Sequence, residues 1–226
     1  MDLQGLLANP PGTHLSRETG EPLPWQIAPR VLEIIDTSVG PDSRTLETGA
    51  GVSTALFALK GCAHTCVVPW TSERDRLQAW GAETGVSFER VSFECAPSEE
   101  VLPRLDPEPL DFVLIDGGHG FPTPFIDFFY AGRRLREGGL LAVDDTQIWT
   151  GRVLHRFLAE QPGWEIVEEM RLRSTVFRRT EEPGTALQEW NEQPFVRRRS
   201  FAGGARGLVR KAVRGGERAA ARVRRG

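Results

Sequence analysis

Two apolar runs set the frame of the chain. In Asp111-Phe112-Val113-Leu114-Ile115-Asp116-Gly117-Gly118-His119, the apolar stretch from Phe112 to Ile115 is too short for a helix and rich in β-formers, as expected of a parallel strand covered on both faces. Gly138-Gly139-Leu140-Leu141-Ala142-Val143-Asp144-Asp145 repeats the pattern and also ends in acid. Upstream, residues 44–48 read as a short strand that passes through Gly49-Ala50-Gly51 into a helix reaching about Leu59. Residues 64–69 and 88–95 are the second and third strands, with a helix between them that Ser72 caps and that runs through Leu77 and Trp80 to Gly85. A helix from Pro29 carries the stripe Val31, Leu32, Ile34 and Ile35 and stops at Gly40-Pro41. Val101, Leu102 and Leu105 mark a short helix. Residues 121–135 form a longer one, with Ile126, Phe129, Tyr130 and Leu135 inward and Gly138-Gly139 as its stop. A helix around residues 153–158 follows, then a hairpin of residues 165–171 and 175–178.

Strands alternating with amphipathic helices make an α/β fold, and 226 residues accommodate one sizeable domain with end pieces. The expected division is an arm and covering helix over 1–43, the body over 44–180, and a linker with a basic tail over 181–226. Residues 1–27, rich in Pro and Gly, read as an irregular arm that Trp25 anchors. Cys62, Cys66 and Cys95 lack the partners and spacing of a zinc site or a disulfide pair, so reduced thiols are expected. Neither a leader-like start nor an apolar run of membrane-spanning length is found, which points to the cytoplasm. The net charge of −3 conceals an asymmetry: residues 197–226 hold eleven basic residues and one acid, Glu217, for +10, which leaves −13 on the rest.

The candidate chemistry lies at the strand ends. Ligands of open α/β sheets bind beyond the carboxyl ends of the strands, and neighbouring strands are about 4.8 Å apart. If the two acid-tipped strands are neighbours, Asp116, Asp144 and Asp145 repel one another unless they share a proton or a cation, which suggests an oxygen-ligand metal site. Consecutive strand residues face opposite ways, so Asp144 and Asp145 both ligate only if the strand has ended; otherwise one of them caps the next helix. His119, beside two glycines, is either a general base or a loop histidine bonded to a carbonyl. Asp127, on a helix, reads as a solvated or capping acid. The turn at Gly49 and Gly51 lets a ligand approach the backbone, but Thr54 stands where a dinucleotide fingerprint has its third glycine, which disfavours a nicotinamide cofactor.

A strand, an acid-x-Gly-x-Gly turn and a helix-strand alternation closing in a hairpin resemble the class I S-adenosylmethionine-dependent methyltransferases over roughly Arg44 to Arg179. The resemblance implies a Rossmann-like, doubly wound, mostly parallel seven-stranded sheet with a C-terminal antiparallel hairpin, flanked by helices. It assigns the cofactor to Glu47, Gly49, Gly51, Ser53, Trp70, Ser98 and Asp116, with the turn from Glu47 to Gly51 on the methionine part. Within the class, Leu114 to His119 together with Val143-Asp144-Asp145 is similar to the metal-dependent sugar O-methyltransferases of macrolide and aminocoumarin biosynthesis. That similarity implies Mg2+ on Asp116, Asp144 and Asp145, His119 as the base, and a small-molecule or saccharide acceptor. One position departs: the class ends its second strand with an acid for the ribose hydroxyls, and here Pro69 stands instead, leaving Thr71, Ser72 or Glu73 as substitutes.

Two other classes of function compete. Leu208, Val209, Ala212, Val213, Ala220 and Val223 fall near helical spacing among arginines, so the tail can bind nucleic acid or an acidic membrane surface, and an RNA methyltransferase is one alternative. The other is a non-catalytic binding module on the same fold. Cutting after about Thr180 is expected to leave a cooperatively melting body and to abolish any steeply salt-dependent binding to anionic liposomes or RNA. Loss of the melting transition would show instead that the tail is part of the core.

Overall fold

Each of the apolar runs becomes a strand: β1 (Arg44–Thr48), β2 (Ala63–Val67), β3 (Val91–Glu94), β4 (Leu110–Ile115), β5 (Leu135–Val143), β6 (Trp164–Met170) and β7 (Ser174–Arg179). They form one sheet in the order β3-β2-β1-β4-β5-β7-β6. The pairs from β3 to β5 are parallel, whereas β7 runs antiparallel to both β5 and β6. This is the Rossmann-like methyltransferase sheet that the sequence leads one to expect. The computed structural model describes residues 1–16, 18–21, 23, 27–182 and 189–201.

Side chains alternate between two cores, as the two-residue period of a strand requires. Phe112 and Leu114 of β4, Leu140 and Ala142 of β5 and Val176 of β7 face one core. Val113 and Ile115, Leu141 and Val143, and Phe177 face the other. The first core is closed by helices α1 (Leu3–Ala8), α2 (Pro29–Ser38), α3 (Val52–Lys60) and α4 (Thr71–Thr84). The second is closed by α5 (Ser98–Val101), α6 (Thr123–Ala131) and α7 (Trp149–Glu160). On α2 the stripe Val31, Leu32, Ile34 and Ile35 is buried, while β6, at the edge, carries exposed Glu165 and Glu169.

Several expectations are corrected. The arm is not wholly irregular: Asp2 caps α1 by accepting the Gly5 N–H at 2.9 Å, and Leu3 and Leu6 reach the core. Ser72 does not cap α4, which begins at Thr71 with Trp70 as its capping residue. The helix expected over 121–135 is shorter. On α6 the buried residues are Pro124, Asp127 and Ala131, whereas Phe129 turns outward beneath the Arg133 guanidinium. A 3-10 turn at Gly132–Arg134 follows, and Leu135 opens β5. Gly138 and Gly139 therefore bend a strand rather than stop a helix: Gly138 has φ +78, and the register against β4 shifts at this level.

Contacts divide the chain into two units, Met1–Gly184 and Thr185–Gly226. In the second, residues 194–201 are helical, and the Arg199 guanidinium lies 3.6 Å over the Phe195 ring. Trp25 and tail residues 202–226 lie outside the described residues. Among the described residues no helix is long and apolar enough to cross a membrane, and all three cysteines are free, with Cys62 and Cys66 buried.

Helix α7 touches the end of β5 through Gly151, where an added Cβ would lie 2.6 Å from the Asp145 carbonyl oxygen. In an exposed helix, alanine at this position would gain about 1 kcal/mol over glycine. Here the clash with backbone outweighs that gain, because overpacking costs about 1–3 kcal/mol or more. Gly151→Ala is accordingly expected to lower Tm by several degrees; an unchanged or raised Tm would show that α7 is free to shift away from the strand end.

Candidate active site

The ladder continues past the strands and draws their ends together. Gly49 N–H donates to Val67 O at 2.9 Å, Asp116 N–H to Thr48 O at 3.1 Å and Asp144 N–H to Ile115 O at 3.0 Å. Gly49 has φ +92, and a Cβ there would sit 2.2 Å from the Asp116 carbonyl oxygen, so only glycine lets the turn lie against the end of β4. Gly51 is extended, at φ −178, so its backbone does not demand glycine; its N–H donates to Thr54 Oγ1 at 2.9 Å.

The turn is held from below by a buried polar chain. The Glu47 carboxylate accepts from Ser53 Oγ at 2.7 Å and from Thr54 Oγ1, and it meets His64 Nε2 at 3.1 Å. His64 stacks on Phe57 and bonds Thr45 Oγ1 through Nδ1 at 2.7 Å. Glu47 and Ser53, assigned to the cofactor by resemblance, thus point into the core under the turn, and neither lines the cleft above it. Burying Glu47 is tolerable because its oxygens are hydrogen-bonded.

That cleft has a volume of about 660 Å3. Gly49 and Trp70 line it, with the acid strand ends opposite: Asp116, Gly117, Gly118, His119, Asp144 and Asp145. β5 has ended at Val143, and Asp145 takes the left-handed conformation at φ +51, so the two acids escape the alternation of a strand. Burial, followed by the charges of Asp144, Asp145 and Glu47, pushes the Asp116 carboxyl well above the usual carboxylate range. Burial also raises Asp144, against the opposing hydrogen bond from Ser174 Oγ to its Oδ1. Asp145 behaves oppositely. Its Oδ2 is 2.9 Å from His119 Nε2, and this bond lowers the carboxyl and raises the imidazole. One donor atom each from Asp116, His119 and Asp145 fall within 4.8 Å of one another. The nearest donor set among the described residues therefore includes His119, with Asp144 turned toward Ser174.

At the other end of the cleft, Pro69 and Trp70 form the wall and Glu73 lines it from the first turn of α4, whereas Thr71 and Ser72 do not. Glu73 Oε1 is 3.4 Å from His14 Nδ1, and Arg76 Nε donates to Thr13 O at 2.8 Å, so the arm forms part of the cleft. Ser98 lies buried beneath, beside Asp127, and does not line the cleft.

Sequence reasoning did not find His14, Gln147 or Arg173, all of which line the cleft. Their placement depends on contacts between distant segments, such as Thr146 N–H donating to Arg173 O at 2.9 Å, that no local pattern encodes. Asp127 did leave a signal, an acid within the apolar run Phe125-Ile126-Asp127-Phe128-Phe129. It is fully buried under Gly117 and accepts from Thr48 Oγ1 at 2.8 Å. The expectation of a solvated or capping acid is corrected.

The comparisons with known proteins agree with this geometry. Residues 46–146 match a family model described as a methyltransferase domain. No curated protein matches the chain. Among solved structures, cofactor-bound Rv0187 from MTB is 19% identical, with 80% of this chain and 90% of that one covered and a TM-score of 0.61. The O-methyltransferase TomG from Streptomyces achromogenes, involved in tomaymycin synthesis and solved with S-adenosylmethionine, is 20% identical, with 79% and 89% covered and a TM-score of 0.58. The methyltransferase PaMTH1 from Podospora anserina, bound to S-adenosylhomocysteine, is 16% identical, with 79% and 86% covered and a TM-score of 0.52. Sheet order, glycine turn and the match over residues 46–146 agree with one another. Residues 46–146 are thus similar to a methyltransferase domain, and the sheet is that of the Rossmann-like methyltransferase fold.

Burial holds the Asp127 carboxyl at about 6, against 3.8 for a free one, despite the Ser98 and Thr48 hydroxyls that oppose the shift. A folded state that keeps the proton more tightly than the unfolded chain loses stability as pH rises from about 4 through 6, here by roughly 3 kcal/mol. Asp127→Asn removes that dependence while keeping an acceptor for Thr48. The variant is expected to be more stable than the parent at pH 7.5 and to approach it at pH 4 in urea melts; a difference that stays constant over this range would place the ionisation elsewhere.

Proposed function

We propose that the chain transfers the methyl group of S-adenosylmethionine to a hydroxyl oxygen of a small molecule or saccharide, assisted by a divalent cation, with Mg2+ as the expected ion. The observation that carries this reading is the convergence of the glycine turn and the group Asp116, His119 and Asp145 on one cleft. S-adenosylmethionine, when bound, supplies an electrophilic methyl, so that its C–S bond breaks as the O–CH3 bond forms and S-adenosylhomocysteine departs. The residues fit a hard cation, since burial raises the Asp116 and Asp144 carboxyls, the charges of Asp144 and Asp145 raise Asp116 further, and Asp116, His119 and Asp145 offer donor atoms close together. Such a cation, when bound, supplies charge that lowers the pKa of the acceptor hydroxyl.

The remaining work falls to the chain. The Gly49 turn holds backbone against the cleft without a side chain in the way. The surplus of carboxylates favours a cationic sulfonium over an anionic ligand. His119 accepts the hydroxyl proton: with Nε2 on Asp145, Nδ1 is the nitrogen left to receive it, and Asp145 stabilises the resulting imidazolium. Thr150 Oγ1 donates to the His119 carbonyl at 2.6 Å and fixes the loop that carries the base.

Asp116→Asn is expected to abolish Mn2+ binding in titration calorimetry while S-adenosylhomocysteine still binds. His119→Ala should keep both ligands and slow turnover by a factor on the order of 10² to 10⁴, with partial recovery at high pH where the hydroxyl ionises unaided. Loss of Mn2+ binding in His119→Ala would make the histidine a ligand rather than the base. Methyl transfer that survives EDTA would remove the metal from the scheme.

A further inference from the structure

At the end of the sheet that carries the cleft, large apolar side chains stand in water. Phe121 is 75% exposed, Trp149 59%, Leu172 66% and Ile148 37%, and of these four only Ile148 lines the cleft itself. Single exposed apolar residues need no explanation, but these four come from three loops at the same end of the sheet as the acids. Phe121 follows β4 two residues after His119. Ile148 and Trp149 lead into α7, and Leu172 forms the β6–β7 turn next to Arg173.

The loops are tied to one another and to the acid group. Thr150 Oγ1 donates to His119 O at 2.6 Å, Ile148 N–H to Asp145 O at 2.9 Å and Thr146 N–H to Arg173 O at 2.9 Å. Leu172 moreover holds φ +58, a left-handed conformation that costs a non-glycine residue on the order of 1 kcal/mol. Two thirds of the residue stays exposed, so burial offsets little of that cost. Strain that presents an apolar group to water beside a reactive cleft is accounted for if the group meets a ligand.

Polarity narrows the ligand further. Glu73, Asp116, Asp144 and Asp145 line the cleft, while Arg173 is its one guanidinium among the described residues. A free sugar would leave the collar of apolar side chains beside the cleft wet. Resting on the methyl-transfer reading above, we propose that the acceptor is a lipophilic phenol or alcohol. Its hydroxyl enters the cleft toward His119 while its apolar body covers Phe121, Ile148, Trp149 and Leu172.

The test uses the full chain with three probes: 4-butylcatechol, catechol and methyl glucoside. Binding is measured by calorimetry in the presence of S-adenosylhomocysteine, and turnover with labelled S-adenosylmethionine. 4-Butylcatechol should bind and react best and methyl glucoside least. Trp149→Ala and Leu172→Ala should each weaken 4-butylcatechol by about tenfold and catechol by less, because one apolar anchor contributes roughly that factor. Both side chains are more than half exposed, so the variants should fold, and retained S-adenosylhomocysteine affinity checks this. Transfer to methyl glucoside that equals transfer to 4-butylcatechol, or variants without effect on it, overturns the collar and leaves methyl transfer standing. Failure to bind S-adenosylhomocysteine overturns both. A wild-type dimer in light scattering that Trp149→Ala dissociates assigns the collar to a second copy of the chain and also overturns the proposal.

Discussion

The backbone contact between Gly49 and the end of β4 is the constraint on which the cleft depends. Because nothing larger than a hydrogen fits between the turn and the Asp116 carbonyl, β1 and β4 can run side by side to their last residues and open onto the same space. The buried chain Thr45, His64, Glu47 and Thr54 then fixes the turn from the core side. Glu47 thereby acts at a distance, holding the backbone that a ligand would meet while its own oxygens stay out of reach. A buried carboxylate with every oxygen engaged rigidifies its surroundings, whereas one left half satisfied would destabilise them.

The acid group shows the opposite design. Burial raises the Asp116 and Asp144 carboxyls, and Asp145 obtains its counter-charge from His119. Four ionisable groups in one partly buried space form a coupled set in which a change at one resets the others. The left-handed backbone at Asp145 and the absence of a side chain at Gly151 are what admit the second acid to that set.

Much of this was legible in the sequence, for a physical reason. In β4 and β5 successive apolar residues serve two different cores, so both strands read as unbroken apolar runs, and the acids that follow them had to lie at the sheet's carboxyl edge. Where two local rules gave the same pattern, the reading failed. Gly138-Gly139 terminates a helix or bends a strand equally well, and the α6 register was misjudged because Asp127 is the polar residue that goes inward and Phe129 the apolar one that stays out. The arm's contribution through His14 was invisible because His14 meets Glu73 across 59 positions of sequence.

The division between strand ends and loops also bears on how such a protein can diverge. Gly49, Gly151 and Asp127 are locked against backbone or buried, and exchanges there disturb the fold before they can change chemistry. Phe121, Trp149 and Leu172 stand outside both cores, so their replacement removes little packing. The rim can therefore drift toward new acceptors in single steps while the machinery beneath it stays intact, since variation in loops is cheap where a rigid sheet carries the rest.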